Sequence, residues 1–183
     1  MNIFVLDKDP KVAAKEHCDK HVVKMIVESA QMLSTAHRIL DGKEDKRLSK
    51  SGKRMVPYWE LSDERENKLY KAVHMKHPCT IWSMESNENY HWHWRLFNAL
   101  CDEYIYRYKK VHKTDYLLRG ALLQEPKNIP QGPMTPFKLA MFEDCKGPDP
   151  VDSYRTYYHR KEFKMVWTGR KFPHWYGQPQ YVA

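Results

Sequence analysis

Residues 90–111 read YHWHWRLFNALCDEYIYRYKKV, and their rings and hydrocarbon side chains recur on a helical period. Tyr90, Trp94, Phe97, Cys101, Tyr104, Tyr108 and Val111 alternate steps of four and three, so a helix places them along one seam. A seam so nearly all apolar or aromatic is core packing rather than a binding platform. The pattern therefore predicts a long central helix around which the rest of the chain is arranged.

The flanking segments carry further helix signals. Asp9 can cap and Pro10 can open a first helix that runs to about Leu40 and stops before Gly42, burying Val22, Val23, Ile26, Ala30 and Leu33. DGKEDKRLSKSGKR, residues 41–54, reads as a charged loop or a flexible basic arm. A second helix follows Ser62 through DERENKLYKAVHM until Pro78 interrupts it, and a short one covers about Asp115–Gln124 with Thr114 as cap. Residues 125–150 hold six prolines and can be neither a long helix nor a central strand, so they should wrap over the surface as a long loop. Asp149-Pro150 opens a last helix through VDSYRTYYHRKEF. Period-two alternation is absent apart from NIFVL, and the expected fold is all-α: one compact helical domain, residues 1–183, with a long proline-rich surface segment.

Length and composition narrow the function classes. A chain of 183 residues buries a core without staples, and four scattered cysteines (Cys18, Cys79, Cys101, Cys145) with no C-x-x-C pair argue against a zinc ribbon or a secreted disulfide scaffold. No apolar run reaches membrane-spanning length, and MNIFVLDKDPK meets an acid and a proline too early for a signal peptide. The expected location is cytoplasmic, the host cytoplasm if the chain is phage-encoded. A net charge of +8 favours a polyanionic partner. Rings beside cations in YIYRYKK, YRTYYHRK and GRKFPHWY are the composition of a surface that stacks bases and holds phosphates.

The first helix raises a chemical question. His17, His21, Lys24, Glu28 and Gln31 follow 4-3-4-3 spacing within one narrow arc, bordered by Met25 and Met32 on one side and Val27 on the other. One reading is a solvated face with an ordinary Lys24–Glu28 pair. Another is a cleft lined by proton-transfer groups, since freely solvated faces favour Lys and Glu over His and Gln. A third uses the i,i+4 spacing of His17 and His21 as half of a metal site for a hydrolase. There Cys18 stands where the zincin motif has its glutamate, and Glu28 lies about 16 Å along the axis from His17, so a ligand such as His91 or His93 would be needed. A span of about 10 Å from His21 to Glu28 suits an extended substrate, a sugar and its flanking phosphate.

DKHVVKMIVE, residues 19–28, resembles the D-x-H-x6-E segment in the first helix of the phage pyrimidine-dimer DNA glycosylases of the endonuclease V type, with Asp19, His21 and Glu28 on the matching positions. FPHWYGQPQYVA is similar to that family's aromatic C-terminus through Trp175, Tyr176, Gly177, Tyr181 and Ala183, and the opening MNIFVLDKDPK is similar in pattern to its relatives. The resemblance covers about a fifth of the chain. It implies a compact all-α base-excision enzyme, needing no cofactor, whose α-amine attacks the sugar C1′ to form a Schiff base while Glu28 serves the sugar chemistry and His21 lies near the DNA. The chemistry is sound in itself, because α-amines as a class titrate near 7.7–8.0 and a neighbouring carboxylate assists proton transfer.

The chain departs from the family at the nucleophile. Residue 2 is Asn2 rather than a small residue, so Met1 is often kept; the amine is then that of Met1, or Lys24 replaces it, or the catalytic step is lost. The expected catalytic set is Glu28, His21, Lys24, Met1 and Asn2. The expected substrate contacts are His17, Gln31, Arg170, Lys171, Trp175 and Tyr176, on duplex DNA with a damaged or modified pyrimidine, bound by a monomer with no membrane involved. The alternatives are a non-catalytic nucleic-acid-binding protein and the His17/His21 metal-dependent hydrolase.

Overall fold

The computed structural model of the chain describes residues 1–177. Asp9 accepts from Lys11 N–H and Pro10 opens the first helix, but that helix is short: α1 spans Pro10–Glu16 and α2 begins afresh at Asp19, running to Asp41. The break carries no glycine or proline. Tertiary partners take its free backbone donors instead, Cys18 N–H giving to the Tyr158 hydroxyl at 2.8 Å and Asp19 N–H to the Val166 carbonyl at 2.8 Å.

The charged segment expected as a loop is a β-hairpin. β1 (Lys43–Leu48) pairs antiparallel with β2 (Met55–Glu60), from Lys43 opposite Glu60 to Leu48 opposite Met55. The fold is mostly helical with this small sheet added, rather than all-α. The hairpin escaped the sequence reading because β1 has no apolar alternation; its stability comes from the inward residues of β2 and from Arg38. That guanidinium is 1% exposed and donates to the carbonyls of Trp59, Glu66, Leu69 and Tyr70 and to the Glu66 carboxylate. Every strong donor direction is used, so an interior arginine carries no unmet charge.

The second expected helix shrinks to one turn, α3 (Arg65–Lys68), because the chain beyond it serves Arg38 through its carbonyls and cannot also close helical bonds. Pro78 starts a helix rather than interrupting one: α4 spans Pro78–Glu85, with His77 Nδ1 accepting from Cys79 N–H as cap. The central helix α5 runs Asn87–Tyr108, capped by Ser86. Tyr90, Phe97 and Cys101 of its seam are fully buried, Trp94 and Tyr104 half-buried, and Val111 falls beyond its end and is exposed. Its buried surface is broader than one seam because α1, α2 and α4 all pack on it. α6 covers Lys113–Leu118, shorter than expected and capped by His112 rather than Thr114. α7 covers Pro150–His159, capped by Asp149 as expected but ending four residues early.

The proline-rich segment contains only a single 3-10 turn, Glu143–Cys145. It is tied down along its length: Asn87 N–H gives to Pro130 O, Asn89 and Thr135 exchange hydrogen bonds, and Tyr154 Oη gives to Lys138 O at 2.7 Å. Beneath it the first residues of the chain are buried without forming a strand; Ile3, Phe4, Val5 and Leu6 are at most 5% exposed. One cluster of buried apolar side chains reaches from Ile3 to Trp175.

Candidate functional site

The buried N-terminal segment meets α2 at Glu28. The α-amine of Met1 lies 3.5 Å from Glu28 Oε2, and Asn2 N–H donates to the same oxygen at 3.1 Å. The other oxygen, Oε1, is 3.3 Å from Lys24 Nζ. One carboxylate therefore stands between two amines, its side chain 12% exposed while that of Lys24 is 64% exposed. Glu28 and Lys24 share a helix face by their i,i+4 spacing, and the amine arrives through tertiary structure.

Asn2 fixes that arrival. Its Oδ1 accepts from Ile3 N–H at 2.8 Å and Phe4 N–H at 3.2 Å, and its Nδ2 donates to Ala140 O at 2.8 Å. Phe4 then turns through the left-handed region at φ 40°, a conformation that costs a bulky L-residue energy and persists only where packing holds it. Its ring is stacked on His21 at 4.5 Å and on Tyr157 at 5.9 Å, with Tyr158 edge-on.

The polar arc of the sequence thus divides between two environments. His17 is the C-cap of α1, fully buried, its Nδ1 donating to Ala13 O at 2.6 Å. His21 is buried among Phe4, Tyr158 and Phe163. Burial pushes His17 down to about 4, and burial with the neighbouring His17 and Lys161 pushes His21 down to about 3. Both are neutral packing groups at neutral pH. Gln31 is half-buried, one turn past Glu28. For the metal reading, His91 is engaged with Glu125 at 2.6 Å and His93 with Ser83 at 2.7 Å. Among the described residues no three His, Cys, Asp or Glu side chains converge on a metal position.

Asp19 is a clamp. It accepts from Arg107 at 2.8 Å and from Thr168 N–H and Oγ1, joining α2 to α5 and to the C-terminal segment. Arg170 gives two hydrogen bonds to Glu103 and lies over the Tyr106 ring, so its charge is largely spent inside the fold. Lys171 is exposed. Trp175 is 8% exposed, packed edge-on to Tyr158, and Tyr176 stacks on His159 at 5.1 Å. Trp175 closes the core, whereas Tyr176 is half-buried and keeps part of its surface open to a cleft. Tyr181 and Ala183 lie outside the described residues.

Two further groups border the N-terminal segment; sequence reasoning missed the first and had part of the second in Lys24 and in the YRTYYHRK run that ends at Lys161. His77 caps α4 and sits beside the N-terminus; burial first, then the positive N-terminus and His74, push it below its ordinary value. Its signal was a histidine directly before a helix-opening proline. The second is a cationic strip bordering Phe4: Lys161 Nζ lies 3.7 Å over the Tyr157 ring and Lys20 Nζ 4.4 Å over Phe163, one turn before Lys24. A cleft of about 520 Å³ between Trp167 and Phe172 is lined by two of the expected substrate contacts, Arg170 and Tyr176, and another of about 460 Å³ lies between His37 and Lys127. Comparison with protein-family models, curated proteins and solved structures finds no match to the chain.

Proposed function

We propose that the chain is a DNA-acting enzyme of the base-excision type, a glycosylase and lyase that uses an amine nucleophile on a damaged or modified pyrimidine nucleotide. The observation that carries this reading is the Glu28 carboxylate with the Met1 amine at 3.5 Å and Lys24 Nζ at 3.3 Å. The target nucleotide is flipped or splayed towards that carboxylate. The lone pair of the neutral amine attacks C1′ as the glycosidic bond breaks, and that bond's electron pair leaves with the base. While that bond breaks, the Glu28 carboxylate opposes the positive charge of the oxocarbenium-like sugar, and once the new C1′–N bond has formed it takes the proton the nitrogen sheds. The nitrogen lone pair then expels O4′, which keeps the electrons of the C1′–O4′ bond and takes the proton back from Glu28, and the C1′=N bond so formed is the Schiff base.

Three nitrogens satisfy the geometry: the α-amine of Met1, the α-amine of Asn2 once methionine is removed, and Lys24 Nζ. The strip of Lys20, Lys24 and Lys161 supports a backbone-binding surface at the same end of the molecule. A second reading, a non-catalytic nucleic-acid-binding protein, is favoured by the same carboxylate if Glu28 only tethers the N-terminal segment.

Borohydride reduction on abasic and on dimer-containing duplex DNA separates the two. The enzyme reading expects a covalent adduct, blocked by an N-terminal extension if an α-amine attacks and by Lys24→Arg if the lysine does. Glu28→Gln should bind duplex as the parent does and lose about 10²-fold or more in rate. No adduct on either substrate, with both amines free, leaves only the binding reading.

A further inference from the structure

The β-hairpin has no part in the chemistry above, and its composition is unusual for an exposed ribbon. Residues 46–54 contain five cations (Lys46, Arg47, Lys50, Lys53 and Arg54) and no anion. Arg47 is used internally, stacked 3.7 Å over Tyr58 and paired with Glu60 at 3.0 Å. Among the described residues the other four make no ion pair.

The register fixes which way the side chains face. Paired residues share a side of the ribbon and successive pairs alternate. Asp45 with Tyr58 and Arg47 with Val56 form the side turned to the body, where Tyr58 is 8% exposed. Lys46 with Pro57 and Leu48 with Met55 therefore form the outer side, and Leu48 and Met55 are 65% and 55% exposed at its far end. The tip beyond them is built rather than loose: Ser49 N–H gives to Arg54 O at 2.7 Å, Gly52 N–H gives to Ser49 O at 2.7 Å, and Gly52 takes φ 70°, which suits glycine. The base is anchored through Tyr58, Glu66 and the buried Arg38.

We infer that this hairpin is a second DNA-contacting element, a ribbon that enters a groove of duplex DNA with Leu48 and Met55 against the bases and Lys46, Lys50, Lys53 and Arg54 on the flanking phosphates. The inference rests on the DNA reading above and extends it to a surface distant from the amine. A two-stranded ribbon fits a major groove about 12 Å wide, and four unpaired cations complement its phosphate walls. Lysine and proline alone would be accounted for by protection of an open strand edge. An opposed Leu–Met pair at the tip is the reverse of protection, since it exposes apolar surface that none of the described residues covers. The hairpin leaves the end of α2 thirteen residues past Glu28, about 20 Å along the helix axis or roughly six base pairs of duplex.

The test is fluorescence anisotropy of the full chain on a labelled duplex of about 30 base pairs across a salt series, with melting curves as the control for folding. Lys50→Ser/Lys53→Ser/Arg54→Ser should weaken binding at least about tenfold and flatten the log–log salt slope by about 2.7, three contacts at 0.9 each. Leu48→Ser/Met55→Ser should weaken binding with the slope unchanged. Parental binding in both variants overturns the hairpin inference and leaves the DNA reading standing. A parent that binds no duplex overturns both. Loss of binding to phosphatidylserine–phosphatidylcholine vesicles, with duplex binding intact, assigns the ribbon to a membrane surface and overturns the inference.

Discussion

Asn2 donates its backbone N–H to Glu28, its side-chain amide to Ala140 O, and accepts from Ile3 and Phe4 N–H through Oδ1. It is a positioning residue in the proposed chemistry, holding the amine without touching the sugar while it remains the second residue. Removing its side chain leaves two buried backbone donors and one carbonyl unpaired. Asn2→Ala should cost about 1–3 kcal/mol in urea unfolding. It should also lower the borohydride-trapped fraction by at least tenfold, with duplex affinity unchanged. Unchanged trapping would show that Lys24, held by its own helix, is the nucleophile. At this scale the sequence was half legible. The Lys24–Glu28 pair follows from helix spacing, whereas the arrival of Met1 depends on a left-handed Phe4 and a carbonyl at Ala140, neither of which has a local signal. His17 and His21 misled because periodicity reports which residues share a face, not whether that face meets water or Phe4 and Tyr158.

The division of the first helix into α1 and α2 is the element-scale lesson. Its residues are helix-compatible throughout, yet the break stands because Tyr158 and Val166, far along the chain, take the donors that a continuous helix would have satisfied. Tyr158→Phe removes the acceptor for Cys18 N–H inside the core and leaves the ring packing with Phe4 and His21 intact. A loss of about 1–3 kcal/mol is expected, the cost of an unpaired buried amide. Faster hydrogen exchange at Cys18 should accompany it. A variant as stable as the parent would mean that the break is set by something other than this bond. The central helix and the caps at Asp9 and Asp149 were visible beforehand, since a helix states its period and often its start locally; the Ser86 cap was not read, though serine suits the position. The hairpin was not, because β1 has no apolar alternation and the ribbon is anchored through β2, where Arg38 donates to the Trp59 carbonyl.

At the scale of the whole molecule, buried histidines set the response to acid. Burial holds His17 and His37 down to about 4 and His21 and His93 down to about 3, with the Arg65 charge adding to the effect at His37. A histidine whose folded value lies below its unfolded value of about 6.5 binds its proton more readily once the chain unfolds. Stability is therefore full above pH 6.5 and is lost as pH falls towards the folded values. At pH 5 all four are almost fully protonated in the unfolded chain and almost wholly neutral in the native one, so these four rings take up about four protons on unfolding and contribute about 5 kcal/mol per pH unit. That slope exhausts a typical reserve of about 5–15 kcal/mol within a few pH units. Carboxylates held low by arginines or backbone donors, such as Asp41, Glu66 and Glu103, weaken the fold only nearer their ordinary range, so the loss between pH 6.5 and 5 belongs to the histidines. Urea unfolding at pH 7, 6 and 5 reads the slope, and calorimetry in buffers of different ionisation enthalpy reads the proton uptake. His93→Gln, whose parent ring is buried against Ser83, should reduce the uptake by about one proton while leaving the other three. Equal midpoints at pH 7 and pH 5 would mean that these rings exchange protons with solvent in the native fold, and the packing of His21 against Phe4 at the base of the site would have to be looser than its 4.5 Å stack requires.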